Sequence, residues 1–180
     1  MIKESRFEHS VRVKETAVIL ARRFAPDLLE AAAYVGIFHD AYRYLSGDEL
    51  LKECKKAKIK IEDEEKENPM LLHGAVAAIH FKEVAGVSPA GYFEAIRNHT
   101  LGSITMGRLG ALLYIADFIE PGRTHLTDED RAEILSHDTL EGVVLDILTR
   151  DLKYGESIGR KGAKISYELK EYLEKGGRFA

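Results

Sequence analysis

Cysteine occurs once in this chain, at Cys54, and tryptophan does not occur. A single thiol excludes an intrachain disulfide and a cysteine-ligated zinc site, and it fits a reducing, cytoplasmic setting. The lack of tryptophan excludes nothing. No apolar run approaches the ~20 residues that cross a bilayer, and the opening residues are polar, without the apolar core of a signal peptide. No membrane partner is expected. Positive charge is in deficit, with 26 Lys and Arg against 30 Asp and Glu and a net charge of −4. That argues against a nucleic-acid partner, whose affinity would rest on neutralising phosphates with cations. A small anionic substrate held by a few placed arginines remains open. Strand-like alternation, an Asn-Gly hairpin, an internal repeat and a linker are all missing. So are a Walker loop, a His-Glu-x-x-His motif and a Gly-x-Ser-x-Gly elbow.

What remains is a chain of 180 residues, 45% hydrophobic and 31% charged, long enough to bury a core as one domain. It reads as all-α: a single helical bundle with a core over about 5–154 and a C-terminal helix over about 163–175. Ser5 and Glu8 have capping-box spacing, as do Ser46 and Glu49, and Thr127 and Asp130. Pro26-Asp27 opens a helix that ends near His39-Asp40. Asn68-Pro69 and Ser88-Pro89 read as helix starts. Residues 55–68, rich in Lys and Glu, read as an exposed loop or a frayed helix end. A helix from about Met106 to Glu120 stops at Pro121-Gly122, and a long amphipathic one runs from Asp138 to Tyr154. Gly155, Gly159 and Gly162 then loosen the chain before the last helix.

The chemistry centres on His39-Asp40, at the end of an apolar run from Ala31 to Phe38. An imidazole followed at once by a carboxylate can serve two cations, one through nitrogen and one through a bridging oxygen. Asp117 lies in a helix that is apolar nearly all round, where a lone carboxylate is costly unless it is paired or metal-bound. Read by itself, Asp117 is equally well explained by a salt bridge to a core arginine. His73 stands near a helix start, His99 at a helix end and His9 in the first turn of its helix. Each alone is more commonly a hydrogen-bonded core histidine than a ligand. His80 is read as structural or as a residue behind the ligands, and His125 and His137 as surface residues. Taken together, His9, His39, Asp40, His73, His99 and Asp117 make a mixed nitrogen and oxygen set. Such a set suits iron, manganese or zinc better than magnesium or calcium. Two such metals can hold a bridging hydroxide and neutralise charge on a phosphoryl oxygen. Arg6, Arg43 and Arg123 supply the anion side, since guanidinium groups bind phosphate oxygens bidentately.

The order His9, His39-Asp40, His73, His99, Asp117 resembles the HD-domain superfamily of metal-dependent phosphohydrolases. Arg6-Phe7-Glu8-His9-Ser10, Leu72-His73-Gly74, Asn98-His99-Thr100-x-Gly102 and the stretch Tyr114 to Arg123 narrow the likeness to the bacterial HD-type symmetrical bis(5'-nucleosyl)-tetraphosphatases. The resemblance implies a di-iron centre, with manganese or zinc as alternatives, that splits diadenosine tetraphosphate into two ADP. It implies one metal on His9, His39 and Asp117, the other on His73 and His99, and Asp40 between them. Asp40, Arg43 and Arg123 become the catalytic set. The substrate contacts become Arg6, His9, Arg43, His73, Thr100, Gly102, Arg123, Ser166 and Lys170. A homodimer is compatible with this reading. The chain departs from the family at Arg43, often a lysine, and over 160–173, where His-Pro is missing and Ser166 and Lys170 stand in for a Thr and an Arg. Two other readings stay open: a nucleoside monophosphate phosphatase using the same centre, and a non-catalytic nucleotide-binding module.

Overall fold

The computed structural model describes residues 3–180; the first two residues of the polar N-terminal stretch lie outside them. Ten α-helices and no strands are found among the described residues. They are α1 (Glu4–Phe24), α2 (Leu29–Phe38), α3 (Gly47–Lys56), α4 (Asp63–Glu67), α5 (His73–Ala85), α6 (Tyr92–Arg97), α7 (Gly107–Ile119), α8 (Asp128–Ile134), α9 (Leu140–Ser157) and α10 (Lys164–Glu174). Short 3-10 turns at Pro26–Leu28 and Pro69–Leu72 lead into α2 and α5. The all-α expectation holds. None of these helices is long and apolar enough to cross a membrane.

Helix α7 is the axis of the core. Nine of its residues are buried, from Leu109 to Ile119, and it packs against α1, α2, α6 and α9. A helix buried on every side must be apolar on every side, which is why Asp117 stands out within it. One cluster of buried side chains runs from Val13 on α1 through Ile115 on α7 to Leu169 and Leu173 on α10. Leu50, Cys54, Leu72, Ala75 and Val76 form a smaller one between α3 and α5.

The capping boxes at Ser46/Glu49 and Thr127/Asp130 are both formed, each side chain taking the other's backbone N–H. Other expectations fail locally. Helix α1 starts one residue before Ser5, with Lys3 as its cap, so Ser5 and Glu8 do not make a box. His9 therefore sits in the second turn. Residues 55–68 are not all loop. Glu62 and Glu65 build a capping box for α4, and Glu65 is buried against Arg97. Asn68 gives no side-chain cap to the turn after it. Ser88-Pro89 does not start a helix, because α6 begins only at Tyr92, after Gly91 in the left-handed region. Gly155 lies inside α9, which runs on to Ser157.

Candidate metal centre

Each histidine of the set stands at a helix end or close to one, and that placement commits its Nδ1. His39 follows the last residue of α2 and its Nδ1 donates to Gly36 O at 2.8 Å. His73 opens α5 and its Nδ1 donates to Met70 O at 2.6 Å. His99 follows α6 and its Nδ1 donates to Ile96 O at 2.8 Å. A carbonyl oxygen only accepts, so the proton is on Nδ1 in all three and Nε2 carries a lone pair. His9 differs in the partner alone: its Nδ1 meets Glu120 Oε1 at 3.1 Å. Glu120 is held in turn by Arg12 Nε and by Gly122 N, each at 2.6 Å.

The four Nε2 atoms converge on two carboxylates. His73 Nε2 lies 3.0 Å and His99 Nε2 3.8 Å from Asp40 Oδ1. His9 and His39 Nε2 each lie 3.9 Å from Asp40 Oδ2. The same two nitrogens lie 3.1 and 3.9 Å from Asp117 Oδ1. His73 Nε2 and His99 Nε2 face each other at 3.1 Å. Two acceptor nitrogens at that distance repel unless a cation lies between or beside them. His9 Nε2 and His39 Nε2 are buried and lack a hydrogen-bond partner, which carries a cost that coordination would remove.

The electrostatics agree with the geometry. Burial opposes ionisation of Asp40, but His73, His39 and His99 outweigh it and hold its carboxyl well below the usual range. Burial also opposes ionisation of Asp117, and His9, His39 and Arg123 reverse that. Burial pushes His39, His73 and His99 down, which keeps them neutral and ready to ligate. In His9 burial is outweighed by Asp117 and Glu120, and its affinity for a proton rises. Two groups have donor atoms close enough to hold an ion: His9, His39 and Asp117, and His39, Asp40 and His99, each with its atoms within 4.8 Å of one another. His73 adjoins the second group through Asp40 and His99. The residues present fit bound metal.

The centre opens on a cleft of about 740 Å³ lined by residues that include His99, Thr100, Tyr114, Asp117, Phe118 and Arg123. Arg123 bonds Asp117 through its carboxylate and, at 2.8 Å, through its carbonyl oxygen. Arg6 Nη1 donates to Asp40 Oδ2 at 3.0 Å. Thr100 Oγ1 is 3.3 Å from His99 Nε2. Arg43 is placed differently from the others. Its guanidinium meets Met70 O at 3.1 Å and lies 3.4 Å from His73 Nδ1, behind the ring rather than in the cleft. Gly102 is buried with φ of +70°, and a Cβ there would meet Leu169 at 2.6 Å. Ser166 Oγ is turned inward to Leu101 O at 2.8 Å, and Lys170 pairs with Glu174 one turn on. Neither lines the cleft. Among the residues read as structural or surface, His80 stacks on Tyr42 and its Nε2 faces Glu53, whereas His125 lines the cleft beside Phe118.

Sequence reasoning assigned no role to Glu120 and Arg12. Glu120 is three residues from Asp117, so helix spacing alone puts both on one face. That signal was available.

Residues 6–134 match the HD domain family model. The chain is 31% identical over 144 residues to a symmetrical bis(5'-nucleosyl)-tetraphosphatase of Bacillus subtilis, covering 80% of this chain and 76% of that protein. It is 27% identical over 151 residues to the protein of the same name from Halalkalibacterium halodurans, covering 84% and 79%. A crystal structure of a predicted HD superfamily hydrolase involved in NAD metabolism, from Clostridium acetobutylicum, superimposes with a TM-score of 0.87. It is 30% identical and the match covers 97% of this chain and 92% of that one. Helical architecture, convergent ligand set and family match agree: the chain belongs to the HD-domain family of metal-dependent phosphohydrolases.

Proposed function

We propose that the chain hydrolyses dinucleoside polyphosphates, diadenosine tetraphosphate first among them, into two ADP. The observation that carries the reading is the convergence of four imidazole Nε2 atoms on Asp40 and Asp117 at the head of a cleft. The names of the relatives at 27 and 31% identity support the substrate. His9, His39 and Asp117 would hold one metal, and His73, His99 and Asp40 a second, with Asp40 shared. Mixed nitrogen and oxygen donors suit iron, with manganese or zinc as substitutes. Bound there, such ions supply Lewis acidity and lower the pKa of water for attack on phosphorus.

The protein's own groups do the rest. Arg123, anchored on Asp117, presents its guanidinium at the cleft to charge building on a phosphoryl oxygen. Arg6 steadies Asp40 from the other side. Thr100 offers a hydroxyl next to His99. Arg43 donates to the Met70 carbonyl that also orients His73, as a positioning residue. Gly102 lets the backbone pack against Leu169 just after Thr100 and Leu101, which line the cleft. Phe118, His125, Leu126 and Tyr154 give the outer cleft an aromatic and apolar face suited to a nucleobase. The volume of the cleft lies within the ~300–1,000 Å³ of small-molecule sites. Ser166, bonded to Leu101 O, and Lys170, paired with Glu174, take no part in this scheme.

The test is product analysis by chromatography after the iron- or manganese-loaded protein meets diadenosine tetraphosphate. ADP as sole product supports the proposal. ATP with AMP keeps a hydrolase and overturns symmetrical cleavage. Phosphate release from nucleoside monophosphates, with the dinucleotide untouched, favours the phosphatase. A cytoplasmic site of action belongs to the same proposal and rests on the lone, buried thiol.

A further inference from the structure

We propose that Tyr114 is a substrate-binding residue whose hydroxyl donates a hydrogen bond to a phosphoryl oxygen in the cleft. This rests on the reading that the cleft receives the phosphoester acted on at the metal centre.

Tyr114 precedes Asp117 by three residues on α7, so the two side chains share a face. The residue is 7% exposed and lines the cleft together with Asp117, Thr100 and Arg123. Its ring edge packs toward Gly102, with Tyr114 Cε2 3.7 Å from where a Cβ at 102 would stand. Among the described residues no group hydrogen-bonds its hydroxyl. Phenylalanine would fill the same space without an unpaired polar atom. The residue is almost enclosed, yet its hydroxyl oxygen is not among the fully enclosed unpaired atoms, so it opens on the cleft and is free to donate to a bound ligand.

The surroundings say what that ligand is. Burial, with Asp151 and Asp117 nearby, pushes the phenol well above its ordinary range, so the oxygen keeps its proton and can donate. Thr100 and Arg123 present further donors to the same end of the cleft. Three donors beside a metal centre complement an oxyanion. Farther along the lining, Asp130 and Asp151 are paired with Arg150 and Arg160, so no unpaired anion opposes a phosphate there.

The experiment is calorimetric binding of ADP and of inorganic phosphate to the metal-loaded wild type and to Tyr114→Phe, with metal content measured for both. Melting of the two metal-free proteins is recorded alongside. The expected result is an unchanged or higher melting temperature in the variant, equal metal content, and affinity for both ligands lower by about tenfold. Equal affinity in the two proteins overturns the proposal, as does absence of ADP binding to the wild type. A drop for ADP without one for inorganic phosphate overturns the phosphoryl assignment. A lowered melting temperature marks the hydroxyl as structural and also overturns it. If the wild type leaves diadenosine tetraphosphate intact while ADP binding keeps its dependence on Tyr114, the dinucleotide reading falls and the Tyr114 assignment stands.

Discussion

The proton on Nδ1 decides what each histidine of the centre can do. His39, His73 and His99 give that proton to backbone carbonyls, which cannot be mutated away. His9 gives it to Glu120, which can. Glu120→Gln keeps an acceptor oxygen but loses the charge that Arg12 and His9 both face. Metal affinity should then fall by about 10- to 100-fold, the usual range for a residue behind a ligand, as read by titration against a competing chelator. Cys54 makes a second prediction. Its thiol is fully buried between α3 and α5, and burial pushes its pKa up to about 11. The folded state thus favours the neutral thiol, while the unfolded chain ionises it near its ordinary value of 9.0. Stability should fall as pH rises from about 9 to about 11, and Cys54→Ala should lose that part of the slope in melts across this range. Aryl-disulfide reagents should label Cys54 only on unfolding.

At the scale of the element, two helix ends meet where the ligands need them. Gly74 is the second residue of α5, and a Cβ there would stand 2.7 Å from Ile96 O and 3.0 Å from His99 Nδ1. Only glycine lets the start of α5 approach the end of α6 this closely, and that approach brings His73 and His99 together. Gly74→Ala should cost about 1–3 kcal/mol in denaturant melts, as overpacking does, and should lower the metal bound per chain. A destabilised variant with full metal content would refute the link. By contrast, the capping box of α3 lies away from the centre. Ser46→Ala should cost about 1 kcal/mol and leave metal binding alone. The legibility of the elements follows the same division. Ser46, Thr127 and Pro121-Gly122 announce their helix boundaries because caps and stops are local. Residues 55–68 misled because Glu65 is buried by a distant arginine, Arg97, which no local pattern reveals.

For the whole molecule, the centre joins α1, α2, α5, α6 and α7, so bound metal ties five helices at once. A ligand that binds only the folded state stabilises it by about 2.7 kcal/mol at 100 times its dissociation constant. Chelation should therefore lower the melting temperature and re-addition of iron or manganese should restore it. Asp40→Asn should abolish the response, because Asp40 stands between both groups of donors. What the sequence by itself determined was local or carried by residue type: the helical period, the caps at Ser46 and Thr127, the buried apolar α7, and six side chains whose types together suit a metal. These features depend on neighbours within a turn or two, or on atoms a residue always carries. Only the tertiary structure decided which nitrogen of each imidazole faces inward, that Glu120 rather than a carbonyl orients His9, that Arg43, Ser166 and Lys170 stand outside the cleft, and that Tyr114 and His125 line it. Those outcomes depend on how helices distant in sequence dock, and docking is set by the sum of many buried contacts rather than by any one motif.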